Sequence, residues 1–380
     1  MNWSFFRMNR TRKAIILISA CIFSIGAVKG QGGICLKKAV PYKAGRFAFS
    51  ACTCDFNGDG KSDIAVVNYN GDDVVILMNN GDGTFAGAVS YPTGHYPASV
   101  KAADVNGDGK PDLIVANVGS ETVSIYMGKG DGTFQPAKDM PGGAFPCFVA
   151  IGDFNHDKNV DIAISNDSSN VVTIFLGKGD GTFTNNGSFG VGEYPSPISV
   201  ADFNGDGNED LAVTNTGGNS LSVLMGKGDG TFGKSVEYPV GSYPNWVTTG
   251  DFNGDGKPDL AVVNSANASI SILNNKGDGT FARPINYAAG GGGPISIVAT
   301  DLNKDGFMDL ALCNAGTNNI SLFLNDGHGV FPEPLNKQTG ISPICILADD
   351  LNKDGFMDII TVNNNENGTI SVFIGCASQN

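Results

Sequence analysis

One nine-residue pattern, Asp-x-Asn-x-Asp-x-x-x-Asp, recurs seven times in this 380-residue chain, opening at Asp55, Asp104, Asp153, Asp202, Asp251, Asp301 and Asp350. The steps between copies are 49, 49, 49, 49, 50 and 49 residues, so one unit is repeated. A second element travels with the first. It reads Gly-Asp-Gly-Thr-Phe at 81–85, 179–183, 228–232 and 277–281, Asp-Gly-Thr-Phe at 131–134, and Asp-Gly-His-Gly-Val-Phe at 326–331. Seven such units run from Leu36 to the C-terminus and leave nothing of domain size over, so residues 31–380 are expected to form a single domain.

Each unit reads as four short strands. In the second, Ser99 to Ala103 leads into the acidic loop and Leu113 to Ala116 follows it. Thr122 to Met127 alternates polar and apolar residues, and Phe134 to Met140 runs toward a connector. A period of two is the mark of a half-buried strand, and Gly, Asn, Asp and Pro fill the gaps. No stretch carries a 3.6-residue period. Four strands repeated seven times predict an all-β chain, a seven-bladed β-propeller of four-stranded blades around a channel.

The phase of the two ends predicts how the ring closes. Thr369 to Ile374 is the third strand of the seventh unit, whereas Leu36 to Tyr42 matches Phe85 to Tyr91, a fourth strand. The N-terminal strand must therefore pair with the C-terminal blade. Cys35 and Cys376 flank that junction in register, and a disulfide between them is expected. Cys52 and Cys54 lie two apart on one strand and do not suit each other as partners. Cys147, Cys313 and Cys345 read as buried thiols.

Each acidic loop reads as a calcium site. Side chains at positions 1, 3, 5 and 9 and the carbonyl at position 7 form an all-oxygen donor set, and Gly at position 6 permits the tight turn. The seven sets are Asp55, Asn57, Asp59, Lys61 and Asp63; Asp104, Asn106, Asp108, Lys110 and Asp112; Asp153, Asn155, Asp157, Asn159 and Asp161; Asp202, Asn204, Asp206, Asn208 and Asp210; Asp251, Asn253, Asp255, Lys257 and Asp259; Asp301, Asn303, Asp305, Phe307 and Asp309; Asp350, Asn352, Asp354, Phe356 and Asp358. The motif Asp positions of these loops account for 21 of the chain's 38 Asp and Glu residues, a clustering that bare Asx turns do not require. Irregular carboxylate coordination suits Ca²⁺ better than Mg²⁺, and zinc would want His or Cys. An EF-hand is excluded because its position 12 should be Glu, and here it is Val66, Val115, Ile164, Val213, Val262, Leu312 or Thr361. Only the third loop departs from Gly at position 6, with Lys158.

The acidic loop between two strands, the GDGTF element and the sevenfold copy number together resemble FG-GAP/VCBS repeats, which build the integrin α-subunit-like propeller. The resemblance covers nearly all of residues 36–380. It implies the fold and the metal, and it leaves function open among adhesion proteins, lectins and a few lyases.

Charge narrows the function. The chain carries 24 Lys and Arg against 38 Asp and Glu, a net −14, which excludes a reader of the nucleic-acid backbone. Arg7, Arg10, Arg12 and Lys13 precede a 15-residue apolar run, Ala14 to Val28, the pattern of a signal peptide over residues 1–30 and too short to span a bilayer. A secreted protein is expected, with lipid anchoring through Cys21 as the alternative. Residues 31–380 keep 19 Lys and Arg against 38 acids, net −19, and seven Ca²⁺ would bring this to −5.

The three histidines, His95, His156 and His328, fall on opposite faces and no nucleophile motif is present, so a catalytic role is not expected. The function expected is an extracellular binding or adhesion module, acting as a monomer on a protein or carbohydrate ligand. Its alternative is a lectin or polysaccharide lyase on the same scaffold. The ligand surface is expected on the face opposite the calcium loops, where the connectors carry aromatics. Trp246 and Tyr243 are the expected anchors, because the equivalents of Trp246 are mostly small.

Overall fold

The second strand of every unit is apolar on both sides and buried along its whole length, as in Asp63–Asn68. It lies between two strands of its own blade and is pressed by neighbouring blades on both faces, the setting that favours continuous Val, Ile and Leu. The first blade continues this logic outward. Ala48–Cys54 is innermost, Asp73–Leu77 is buried, and Val89–Pro92 is a largely exposed edge. Its four strands pair antiparallel in sequence order.

The computed structural model describes residues 33–377, so the expected signal peptide and Cys21 lie outside the described residues. Within them all regular structure is β, and no helix is long and apolar enough to cross a membrane. The innermost strands of the other blades are Pro97–Ala103, Pro146–Gly152, Pro195–Ala201, Pro244–Gly250, Pro294–Thr300 and Pro343–Asp349. Each packs against the next around the ring, and Pro343–Asp349 returns to Ala48–Cys54.

The ring closes as the phase of the ends predicts. Val40–Lys43 pairs with Thr369–Phe373 and completes the seventh blade. Cys35 sits opposite Cys376, and the two are disulfide-bonded across a sequence separation of 341, with Cα atoms 5.1 Å apart. Cys52, Cys54, Cys147, Cys313 and Cys345 are free.

Most fourth strands begin later than expected, although the third blade's starts at its motif phenylalanine, Phe183–Gly190. In the second blade the strand is Lys138–Pro141, while Phe134 makes only an isolated bridge to Gly128. Phe134 is drawn out of the strand by packing, meeting Phe56 and Tyr91 of the preceding blade edge to face at 5.5 and 5.6 Å. The GDGTF phenylalanine is thus a peg between blades. Phe232, Phe281 and Phe331 repeat the arrangement.

Trp246 stands on an innermost strand and packs against the cores of blades on three sides of the ring. It meets Phe148 edge to face at 5.5 Å, and Lys101 Nζ lies 5.4 Å over the same Phe148 ring. Trp246 therefore has a structural task as a plug of the channel, where neighbouring inner strands carry small residues.

Two outcomes follow from this packing. Cys35→Ser or Cys376→Ser should lower unfolding free energy by about 2–5 kcal/mol in urea denaturation, since the bond removes a very long loop from the unfolded chain. Trp246→Ala should cost about 3 kcal/mol in the same assay, as for other large-to-small aromatic changes in packed sites.

Candidate metal centres and the opposite face

Each acidic loop winds around its first aspartate. In the first blade, Asp55 Oδ1 accepts the backbone N–H groups of Gly58 and Asp59, and Oδ2 accepts that of Gly60 at 2.7 Å. Asn57 Oδ1 accepts from Asp59 N–H, and Asp59 Oδ1 accepts from Lys61 N–H. The second and fifth loops repeat these bonds. Such a winding needs left-handed backbone at positions 4 and 6. At position 6 the φ values run from 80° to 90° for the six glycines, and Lys158 is held at 70°.

The ninth position behaves differently. Asp63, Asp112, Asp161, Asp210, Asp259, Asp309 and Asp358 are all fully buried at the start of the second strand. Each spends both oxygens on backbone N–H groups. Asp63 takes Phe56 in its own loop (3.1 Å) and Asn79 at the head of the GDGTF turn (2.8 Å). Asp112, Asp161, Asp210, Asp259 and Asp309 do the same, and Asp358 takes Leu351 in its own loop and Gly375 at the ring closure. Burial first, then the carboxylates at positions 5 and 1, push these acids upward. Asp309 reaches about 7, and Asp161, Asp210, Asp259 and Asp358 about 6.

Among the described residues, no group of three or more His, Cys, Asp or Glu side chains is gathered as a metal cage. The donor chemistry nevertheless fits a hard cation. Three carboxylates and an amide oxygen share each loop, and the carboxylates destabilise one another's charge. The chain's own cations meet them only from outside, Lys61 to Asp59 at 3.4 Å, Lys257 to Asp255 at 3.3 Å and Lys110 to Asp108 at 3.8 Å. The residues that would hold an ion are the side chains at positions 1, 3, 5 and 9 and the position 7 carbonyl. The position 1 and position 9 carboxylates both also accept backbone N–H bonds, and the position 9 carboxylate is the more deeply buried.

On the opposite face the structure separates the two anchors expected from sequence. Tyr243 is exposed on the connector, whereas Trp246 is half-buried in the channel. His95 lies on this face, 2.8 Å from Asp72, and His156 lies on the other, 2.8 Å from Asn208.

The residue just before each innermost strand is left-handed in all seven blades: Phe47, Tyr96, Phe145, Tyr194, Tyr243, Gly293 and Ser342, with φ between 53° and 62°. For a bulky side chain this conformation costs about 1–2 kcal/mol. Hydrogen bonds hold it there. Tyr194 donates to Asn170 Oδ1 at 3.0 Å and accepts from Thr216 N–H at 3.0 Å; Tyr243 donates to Asn219 Oδ1 at 2.8 Å and accepts from Ser265 N–H at 3.0 Å. Four of the five aromatics are exposed over 40–50% of their surface, Tyr194 the most, and Phe47 is half-buried. The sequence showed aromatics in these connectors but not their shared left-handed backbone. The residue before proline normally avoids such a conformation, so the dipeptides gave no signal.

Charge divides the faces. Lys61, Lys110, Lys129, Lys158, Lys178, Lys227, Lys257, Lys276, Lys304 and Lys353 all stand on the acidic-loop face. The connectors and second-to-third-strand turns of the other face carry Asp72, Glu121, Asp167, Glu193 and Glu366 against Arg46 and His95.

Lys158→Gly should raise unfolding free energy by about 1 kcal/mol in chelator, because the left-handed position costs glycine nothing. Urea denaturation of the variant beside the parent checks it.

Solved structures of low identity share the architecture and establish the fold alone. BBS1N in complex with ARL6DN matches with a TM-score of 0.65 at 12% identity, over 91% of this chain and 98% of that one. Hydrazine synthase from Kuenenia stuttgartiensis gives 0.62 at 16%, over 93% and 100%. Catalytically inactive virginiamycin B lyase from Staphylococcus aureus, with quinupristin, gives 0.60 at 13%, over 90% and 99%. Enzymes stand among these neighbours, so the scaffold decides nothing about catalysis. No match was found among curated proteins. The model of the FG-GAP-like repeat matches six times, at residues 55–115, 104–164, 153–213, 202–262, 251–312 and 301–361. Spanning most of the chain in register with the acidic loops, these matches mean that the protein belongs to the FG-GAP-like repeat family.

Proposed function

We propose that this protein is a calcium-stabilised extracellular binding module whose ligand surface is the face opposite the acidic loops. The observation that carries the reading is the contrast between the faces. One repeats the same donor set seven times, as a scaffold does. The other holds partly exposed aromatic rings in left-handed backbone, a conformation that costs stability and that the repeat does not require, since blades six and seven do without a ring there. Exposed aromatics of this kind are the usual centres of binding energy.

Bound at positions 1, 3, 5, 7 and 9, calcium would supply the positive charge that the loop carboxylates lack. The loops' own residues do the rest. Asp55 and its equivalents fix the turn through backbone N–H groups, and Asp63 and its equivalents tie the loop to the GDGTF turn. A filled loop thereby stiffens the junction between blades, and the opposite face is held in shape indirectly. The ligand is a protein or glycan outside the cell, met by a monomer.

Native mass spectrometry at millimolar calcium should show about seven bound ions, with dissociation constants of roughly 10⁻⁴–10⁻³ M, as for extracellular modules. The melting temperature should fall on chelation, since each site filled at 100 times its dissociation constant adds about 2.7 kcal/mol. Two or fewer ions, with melting indifferent to chelator, would remove calcium from the account.

A further inference from the structure

The strained aromatics form an arc. Phe47, Tyr96, Phe145, Tyr194 and Tyr243 occupy the same position in five consecutive blades, and blades six and seven break the series with Gly293 and Ser342. The repeat itself therefore does not need a ring there. At one end the arc thickens into a stack, with Tyr69 5.0 Å from Tyr96 and Phe49 5.1 Å from Tyr69.

Charge says what suits this arc. Five carboxylates surround the rings and Arg46 is the one Lys or Arg in the connectors and turns of that face. Among the described residues, the only ion pair there is His95 with Asp72, which leaves Glu121, Glu193 and Glu366 exposed without one. Several amide oxygens beside the rings, which could otherwise recognise sugar hydroxyls, are engaged by the backbone. Asn170, Asn219 and Asn318 spend Oδ1 on the backbone N–H groups of Tyr194, Tyr243 and Ser342. Aromatic faces with free carboxylates beside them attract ammonium and guanidinium groups.

We propose that the arc from Phe47 to Tyr243 docks a cationic segment, rich in Lys and Arg, of a partner protein. The segment lies across blades one to five, with its cations over the rings and against Glu121 and Glu193. This rests on the reading of that face as the ligand surface and goes further by naming the chemistry of what binds.

The test uses fluorescent 12-residue peptides, one alternating Lys and Arg with Gly and one acidic, and a neutral oligosaccharide, with the full chain at saturating calcium. Anisotropy should show the basic peptide binding, weakening with salt, and the other two not. The double variant Tyr194→Gly/Tyr243→Gly should bind the basic peptide at least 10-fold more weakly while melting no lower than the parent, because glycine accepts the left-handed backbone without strain. Glu121→Gln/Glu193→Gln should also weaken binding and flatten its salt dependence. Binding that survives both double variants would overturn the proposal, as would no binding of the basic peptide. A melting temperature lowered by the glycine variant would make the rings structural. Binding of the oligosaccharide that the glycine variant abolishes, with no binding of the basic peptide, would keep the face as the ligand surface and discard the cationic partner.

Discussion

Seven buried aspartates hold the assembly together. Each sits at the start of a second strand with no exposed surface and accepts one N–H from its own acidic loop and one from the head of the turn after the third strand, or in the seventh blade from Gly375 beside the closing disulfide. Burying a carboxylate costs several kcal/mol, and two charge-assisted hydrogen bonds offset that only if the donors are already in place. The requirement runs both ways. The two loops at that end of each blade cannot move apart without stranding a buried charge, so one residue fixes their separation, and both elements must recur with the same spacing.

From that joint the blades connect sideways. The GDGTF turn of one blade donates a backbone N–H to the acidic loop of the blade before it, as Gly132 does to Phe56 at 3.0 Å, Gly181 to Val105 and Gly230 to Phe154. The phenylalanine that ends the motif drops between the blades. Polar and apolar bonding thus coincide at every junction, and the hydrophobic cores mostly join residues of adjacent blades. A repeat protein with nearest-neighbour contacts alone would have two loose ends. Here the last blade borrows its outer strand from the N-terminal segment, and Cys35–Cys376 locks the exchange.

The faces then divide the work. Lysines and aspartates concentrate on the loop face, where the carboxylates constrain one another and their own backbone. The other face is where the chain accepts conformational cost. Its connectors pass so close to the buried asparagines of the second strands that a Cβ on Gly45, Gly143 or Gly192 would lie 2.0–2.5 Å from Asn68, Asn166 or Asn215. Directly after those glycines the backbone turns left-handed and points a ring outward.

The family, the blade count, the closure of the ring and the disulfide were legible in the sequence because each follows from spacing: a period near 49, a missing strand at one end and its counterpart at the other. The acidic loops and their matched Asp and Asn positions were legible for the same reason. Their separate duties were not. Asp63 reads in sequence as one donor among four, and the structure adds that it is a buried tie between two loops, because only the packed blade excludes water from it. Trp246 reads as an exposed anchor and lies in the channel, because which inner-strand residues meet across the ring depends on how seven strands converge. The left-handed aromatics were invisible, since local preference before proline points the other way and only hydrogen bonds from the neighbouring turns overrule it. Periodicity settled what each unit becomes. Contacts between units, which no single repeat contains, decided what each residue does.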